Sequence, residues 1–207
     1  KEKIALTLFY NRFYDLYEEI TDESFFTKKP IMRFTKLKDV FAVYKELLGY
    51  EPIKHYIDYV KAGGRPPLEG IIADDLFSFV RNLLMHYPLF DKWENVYITK
   101  DLATWNMEGT IHNFLSKCTK IKIDGKGIIK YRIWSNKKKQ MTYLEVNFPK
   151  TYADKRIYLK DMLSEKDGMI FCTALMKEIL ETQVITDEDP DIKIMSQVLL
   201  PRKTDAQ

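Results

Sequence analysis

The first part of this chain places its apolar residues at the spacing of α-helices. Between residues 4 and 20, and again between residues 34 and 48, they recur three or four positions apart, which aligns them along one side of a helix. Such a stripe is stable only when other elements cover it, and a chain of 207 residues is long enough to bury a sizeable core. We therefore expect a helical bundle. Helices are predicted at residues 4–20, 34–48, 53–60, 68–87, 99–118 and 168–183.

The composition changes after residue 118, where short β-branched segments replace the helical pattern. Strands separated by turns are predicted at residues 120–124, 128–134 and 140–148. The predicted fold class is α+β and mainly α, a helical bundle with a small antiparallel β appendage. Residues 1–118 would form the bundle. Residues 119–207 would add the β-hairpin or three-strand appendage and a C-terminal helix packed on the bundle, in one compact unit.

The positive charge of the chain is concentrated in one segment. Residues 117–140 hold nine Lys or Arg and one Asp, a formal charge of +8, whereas the whole chain carries +3 and the remainder therefore −5. A basic patch on a mildly acidic body indicates a polyanionic partner such as RNA, with Trp134 and Tyr143 available to stack on bases. The same alternation equally fits a solvated sheet that covers the bundle and binds nothing. The candidate RNA-binding residues are Lys120, Lys122, Lys130, Arg132, Lys137, Lys138 and Lys139.

Several classes of function are disfavoured by the sequence. No apolar run is long enough to cross a bilayer, and residues 1–8 lack the hydrophobic core of a signal peptide. Cys118 and Cys172 make neither a disulfide framework nor a metal-ligand spacing, and His55 and His112 are isolated. We therefore expect a cytoplasmic protein with no membrane partner, no metal site and no cofactor.

The helix predicted at residues 68–87 carries an unusual set of polar side chains. It follows a glycine- and proline-rich loop predicted at residues 61–67 and ends before Pro88, which disfavours helix at the preceding residue. Its apolar side consists of Ile72, Leu76, Phe79, Val80, Leu83 and Leu84. Helical spacing groups the remaining side chains into a polar band that we expect to lie away from the core. The band consists of Asp74, Asp75, Ser78, Arg81, Asn82 and His86.

Three residues of this band have the chemistry needed to cleave RNA. Arg81 offers a permanent charge and a planar fork that fits two phosphate oxygens. His86 can transfer a proton near neutral pH, and Asn82 can hold the imidazole in one orientation. Together they suit metal-independent cleavage, in which the 2′-hydroxyl attacks the adjacent phosphate and arginine stabilises the developing charge. Supporting roles fall to Asp74, Asp75 and Ser78.

The order Arg81, Asn82, three residues, then His86, near the end of a helix, resembles the motif of the HEPN superfamily of ribonucleases. The likeness covers chiefly residues 71–88, and the basic segment at 119–148 is not part of the minimal family fold. The resemblance implies a bundle that dimerises, so that two motifs form one composite site in a cleft. It also implies abortive-infection or toxin biology, with a regulatory partner protein. One toxin branch has Tyr two places after the His, where this chain has Pro88, which argues against the partner system of that branch.

Other interpretations fit the same residues. Arg81 could pair with Asp74 or Asp75 in an interhelical salt bridge while His86 caps the helix end, where the helix dipole favours a cation. The bundle would then be a non-catalytic RNA-binding or protein-interaction module, or a structural dimer. A geometric condition also applies, because five residues of ideal helix separate Arg81 from His86 by about 140°. Convergence on one phosphate therefore requires a distorted helix end or a second copy of the motif.

Overall fold

The protein is mainly helical, with few strands. A computed structural model describes residues 2–63, 70–86, 90–99, 128–135, 140–147 and 156–186. Three helices fill the first of these ranges: α1 (Glu2–Thr21), α2 (Pro30–Leu48) and α3 (Glu51–Gly63). A short 3-10 helix, Glu23–Thr27, joins the first two, and its start is capped by Asp22, whose carboxylate accepts from the Ser24 amide at 2.7 Å.

The two long N-terminal helices are confirmed close to their predicted bounds, but α3 is longer than predicted. It continues to Gly63, so the loop predicted at residues 61–67 is wrong for its first three residues, and residues 64–67 lie outside the described part. Local sequence favours a turn here because of the glycines. The ion pairs that Lys61 makes with the next segment hold it in the helix instead.

The motif helix is two elements rather than the single α-helix predicted at residues 68–87. A π-helical segment, Ile71–Leu76, leads directly into α4 (Phe77–His86). The amide of Phe77 donates to the carbonyl of Ile72, five residues back, which is the hydrogen bond of a wider turn. Residues 68, 69 and 87 lie outside the described part.

Two antiparallel strand pairs are present among the described residues. Strands β2 (Ile128–Ser135) and β3 (Gln140–Asn147) correspond to the strands predicted at residues 128–134 and 140–148, and they pair with each other. Strands β1 (Tyr97–Thr99) and β4 (Arg156–Tyr158) form a second pair that the sequence did not predict, since three residues carry too little periodicity. Thr99 therefore belongs to a strand, not to the helix predicted at 99–118. The rest of that helix and the strand predicted at 120–124 lie outside the described residues.

The chain ends, within the described part, in two helices, α5 (Leu159–Met162) and α6 (Lys166–Thr186). Helix α6, predicted at 168–183, packs against α1, α2 and α3 and closes the apolar core. Buried Trp93 donates from its indole nitrogen to the carbonyl of Leu163 at 2.8 Å. Arg33 of α2 makes a two-pronged pair with Glu165, each bond at 2.9 Å. Both contacts tie the start of α6 to earlier elements.

Within the described residues, no helix has both the length and the apolar composition needed to cross a membrane.

Candidate functional site

The polar side chains of the motif segment are set among neighbouring helices rather than along an open surface. Between residues 72 and 85, the only exposed side chain of this described stretch is Met85. The predicted apolar side is confirmed, because all six of its members are buried: Ile72, Leu76, Phe79, Val80, Leu83 and Leu84. The polar side is partly enclosed as well, and Ser78 is only 5% exposed. The expectation that the whole band avoids the core is therefore wrong at Ser78.

The acidic end of the band is engaged by two lysines from other helices. Lys61 of α3 donates to Asp74 and, at 3.2 Å, to Asp75. Lys45 of α2 donates to the Ser78 hydroxyl at 2.9 Å and lies 3.6 Å from the Asp74 carboxylate. Ser78 in turn donates to Asp74 at 3.2 Å. These five residues form one network, here called the lysine–aspartate network, which joins α2, α3 and the π-helical segment.

A close backbone approach positions Lys61 in this network. A Cβ atom on Gly70, just before the π-helical segment, would lie 2.8 Å from the backbone nitrogen of Lys61. Only glycine leaves room for the two backbones to pass at this distance. The carboxylates of Asp74 and Asp75, one turn further along, are thereby brought within reach of the Lys61 ammonium.

The network shifts the proton affinities of its members. Burial alone would raise the pKa of Asp74, but the hydrogen bond and charge of Lys61, with the charge of Lys45, outweigh it and lower the pKa below 3.8. Burial alone would lower the pKa of Lys61, but Asp74 and Asp75 outweigh it and raise the pKa above 10.5. Both groups are therefore charged at neutral pH.

Tyr44 of α2 lies beside the same network. Its hydroxyl is buried and has no hydrogen-bond partner among the described residues. Burial, and then the negative charge of Asp74, raise the pKa of the phenol well above its usual range. Its ring makes an edge contact with Phe77, the first residue of α4, at a centroid distance of 5.6 Å. Tyr44 thus remains neutral and packs the start of α4 against α2.

Arg81 and Asn82 lie in the middle of α4, where both are half-buried. The Arg81 Nη1 atom donates to the Asn82 side-chain oxygen at 3.2 Å, whereas its buried Nε atom has no hydrogen-bond partner in the described part of the chain. Asp74 pairs with Lys61 and Lys45, so the predicted alternative of an Arg81–Asp74 salt bridge is not formed. Arg81 makes no ion pair with any described residue. Its guanidinium can therefore accept an anion without first losing a carboxylate partner.

His86 is the last residue of α4, and its side chain lies outside the described part. The described contact of Asn82 is to Arg81, and its predicted contact with the His86 ring stays a prediction. Because α4 is α-helical from Phe77 to His86, the irregular turn of this helix precedes the motif and does not fall within it. Arg81 and His86 of one chain therefore keep the angular separation of about 140° that five helical residues impose.

The candidate RNA-binding residues lie largely beyond the described ranges. Lys120, Lys122, Lys137, Lys138 and Lys139 all lie outside them. Lys130 and Arg132 are in β2, where they stand opposite Glu145 and Tyr143 of β3. Their side chains are not among those described.

The sequence interpretation missed Lys45 and Lys61. Each follows a buried residue of its own helix by four positions, Phe41 and Ile57 respectively, and so lies on the core-facing side. That signal is weak, because a lysine stem often covers apolar surface while its ammonium reaches solvent. Among the described residues, no group of three or more His, Cys, Asp or Glu could hold a metal ion.

Fold and site together define a mainly helical protein whose α4 carries an Arg-Asn-x-x-x-His sequence. No protein-family model matches the chain, and neither curated proteins nor solved structures show significant similarity to it.

Proposed function

We propose that this protein is a metal-independent endoribonuclease of the HEPN type, acting as a homodimer whose two α4 helices form one composite site. In this proposal Arg81 binds the scissile phosphate, His86 transfers protons and Asn82 orients its neighbours. The biology implied is defence or toxin activity, held in check by a regulatory partner. The observation that carries the proposal is the half-buried guanidinium of Arg81, whose buried Nε atom has no hydrogen-bond partner and which forms no ion pair within the described ranges.

The half-buried position of Arg81 in α4 favours binding of an anion. A guanidinium is seldom withdrawn from water without a partner, because burying an uncompensated charge is costly. Two lysines satisfy Asp74, so the charge of Arg81 is available at neutral pH. The bond from Nη1 to Asn82 restricts the guanidinium plane, and a fixed fork suits two oxygens of a phosphodiester.

The reaction needs no group beyond the motif and the RNA itself. A general base takes the 2′-hydroxyl proton, the 2′-oxygen bonds to phosphorus, and the bond from phosphorus to the 5′-oxygen breaks. The leaving 5′-oxygen takes a proton from a general acid, which leaves a 2′,3′-cyclic phosphate and a 5′-hydroxyl end. One His86 takes the proton of the 2′-hydroxyl as the base and, as the imidazolium so formed, gives a proton to the leaving 5′-oxygen. Arg81 stabilises the charge on the phosphorane oxygens.

In this proposal Asp74, Asp75 and Ser78 support the site by holding α4 in place. Lys45 and Lys61 bind their carboxylates and hydroxyl, so these groups do not contact the substrate. The lysine–aspartate network would hold α4 at a fixed depth between α2 and α3.

The test is cleavage of an end-labelled single-stranded RNA by wild type, Arg81→Ala and His86→Ala in the presence of EDTA. Loss of general acid–base catalysis predicts a fall of about 10²–10⁴-fold for His86→Ala. Loss of phosphorane stabilisation predicts about 10²–10³-fold for Arg81→Ala. An RNA with a single 2′-deoxy nucleotide at the scissile position should be bound and left intact. Arg12→Gln, which removes an exposed arginine from α1, is the charge-matched control and should cleave normally.

Binding measurements separate the enzyme from a non-catalytic module. His86→Ala should bind the labelled RNA as wild type does while failing to cleave it. RNA binding by wild type without any cleavage would assign the binding module instead. Cleavage that survives both Arg81→Ala and His86→Ala would refute the proposed site.

A further inference from the structure

The short β1–β4 pair has one face built from aromatic and cationic side chains. Tyr97 stands opposite Tyr158, and Thr99 stands opposite Arg156, so these four residues lie on the same face of the pair. Ile98, whose side chain points to the other face, is buried in the core. The pair therefore rests on the bundle through one face and presents the tyrosines and the arginine on the other.

On that outer face, the rings and cations are in direct contact. The Tyr97 and Tyr158 ring centroids are 5.6 Å apart, and Phe90 makes an edge contact with Tyr97 at 5.5 Å. The Arg156 guanidinium lies 4.7 Å from the Tyr97 centroid, and the Lys160 ammonium lies 5.3 Å from that of Tyr158. These five residues, Phe90, Tyr97, Arg156, Tyr158 and Lys160, are called the tyrosine face below.

The cations of the tyrosine face differ from the other three that lie over aromatic rings of the described chain. Lys38 lies over Phe34, a ring only 1% exposed that offers no surface to a ligand. Lys28 over Phe25 is paired with Glu19, and Lys177 over Tyr17 is paired with Glu181. Those two cations serve internal packing and are already neutralised. Arg156 and Lys160 are exposed and form no ion pair with a described residue.

We propose that the tyrosine face binds a single-stranded segment of RNA, with bases stacking on the tyrosine rings and the Arg156 guanidinium. The phosphates between those bases would contact Arg156 and Lys160. Unpaired bases are the ligand that fits, because aromatic rings and guanidinium planes stack on splayed-out bases, whereas a duplex hides its bases. The inference rests on the proposed function for the identity of the polymer. Phe90 and Tyr97 follow His86 closely in the chain, so two rings of the face lie in the segment that follows the motif.

The experiment measures binding of a short fluorescein-labelled single-stranded RNA by anisotropy, in the His86→Ala background to prevent cleavage. Loss of one stacking ring in Tyr158→Ala should raise the Kd about 5- to 100-fold. Tyr158→Phe keeps the ring and loses only the hydroxyl that accepts from Arg156, so it should bind more tightly than Tyr158→Ala does. Arg156→Gln should raise the Kd and reduce the slope of log K against log salt by about one. The matched controls are Tyr59→Ala, which removes a 73% exposed tyrosine from α3, and Arg12→Gln.

The outcomes distinguish this inference from the proposed function. An unchanged Kd for the labelled RNA in Tyr158→Ala and Arg156→Gln would refute RNA binding by the tyrosine face, even if wild type cleaves RNA. Affinity that depends on these residues supports it, even if wild type does not cleave. An equal loss in Tyr59→Ala and Tyr158→Ala would show a general surface effect and also overturn it. Arg156 is exposed, so Arg156→Gln remains informative if Tyr158→Ala proves unstable.

Discussion

Asp74 and Arg81 belong to one continuous helical stretch but carry their charges into different surroundings. The carboxylate of Asp74 receives a lysine from each of two neighbouring helices and a serine hydroxyl from its own. The guanidinium of Arg81 receives one amide oxygen. The first charge is therefore compensated within the fold, whereas the second has no ion-pair partner among the described residues. This division separates a structural acid from a candidate binding cation only seven residues away.

The compensation of Asp74 predicts a measurable loss of stability on substitution. Asp74→Asn should lower the free energy of unfolding at pH 7 by about 1–3 kcal/mol, because a charged hydrogen-bond network is broken and Lys61 keeps a single carboxylate partner. Urea denaturation followed by circular dichroism measures the difference. The control is Asp39→Asn, which removes an exposed ion pair with Arg12 and should change stability by less than about 1 kcal/mol.

The stability difference between wild type and Asp74→Asn should change with pH only at the acidic and the alkaline end of the range. The pKa of Asp74 is lower in the folded state than in the unfolded state. Its ionised carboxylate therefore contributes fully to the free energy of unfolding above the unfolded pKa of 3.8, and this contribution is lost as pH falls through the folded pKa. The folded pKa of Lys61 is raised, so its contribution is complete below 10.5 and is lost as pH rises through the folded pKa. The stability difference between wild type and Asp74→Asn should thus be flat between these limits. A difference that changes steadily between pH 5 and pH 9 would contradict the network.

Sequence spacing groups the motif residues along one helix but does not reveal which residues of other helices contact that helix. Arg81, Asn82 and His86 are close in the chain, so helical geometry alone relates them. The contacts of Lys45 and Lys61 with Asp74 depend on how α2, α3 and the π-helical segment pack in three dimensions. The residue pattern of a single helix contains no information about that packing. The alternative that paired Arg81 with Asp74 or Asp75 could not anticipate that lysines from α2 and α3 bind Asp74.

At the scale of elements, the π-helical segment Ile71–Leu76 sets the position of α4. A wider turn shifts the residues after it around the helix axis, so Asp74 and Arg81 are no longer related as in one straight α-helix. Helix irregularities of this kind occur frequently at functional sites. Gly70 precedes the segment at the point where its backbone meets α3. The close approach of the two backbones and the irregular turn together bring Lys61 within reach of Asp74 and Asp75.

Gly70→Ala should therefore destabilise the fold through α3. The new methyl group would lie 2.8 Å from the backbone nitrogen of Lys61, and relieving that overlap should cost about 1–3 kcal/mol in urea denaturation. Its effect should be less than additive with that of Asp74→Asn, because both act on the same contact. Gly49→Ala, whose methyl would meet a single carbonyl oxygen at 3.1 Å, is the control and should change stability by less than about 1 kcal/mol. Equal effects at the two glycines would contradict the close approach as the cause.

Long elements with strong periodicity could be predicted, and short ones could not. Helices α1, α2 and α6 and the β2–β3 hairpin were located from apolar spacing, because their own side chains contain the pattern. Strands β1 and β4 are joined by pairing between residues 97–99 and 156–158, which are far apart in the chain. Such pairing depends on the bundle that supports it. The tyrosine face was missed together with these strands.

At the scale of the whole molecule, the proposed chemistry depends on assembly. The described α4 is regular from Arg81 to the backbone of His86, so these two positions of one chain lie about 140° apart around the helix axis. Of the two conditions that permit convergence, a second copy of the motif is the one consistent with this regular helix. In the proposed dimer, a two-fold axis would place Arg81 of one chain beside His86 of the other, in two equivalent halves of a single cleft.

Mixing two inactive variants tests this arrangement directly. Arg81→Ala and His86→Ala, each inactive alone, should regain RNA cleavage when co-expressed, because a mixed dimer carries an intact Arg81 on one chain and an intact His86 on the other. Random pairing makes about half of the dimers mixed, so a partial recovery is expected. Cleavage within single chains predicts no recovery, since neither variant holds both residues. Analytical ultracentrifugation supplies the companion measurement, and a wild type that cleaves RNA as a monomer would refute the composite site while leaving the motif in place.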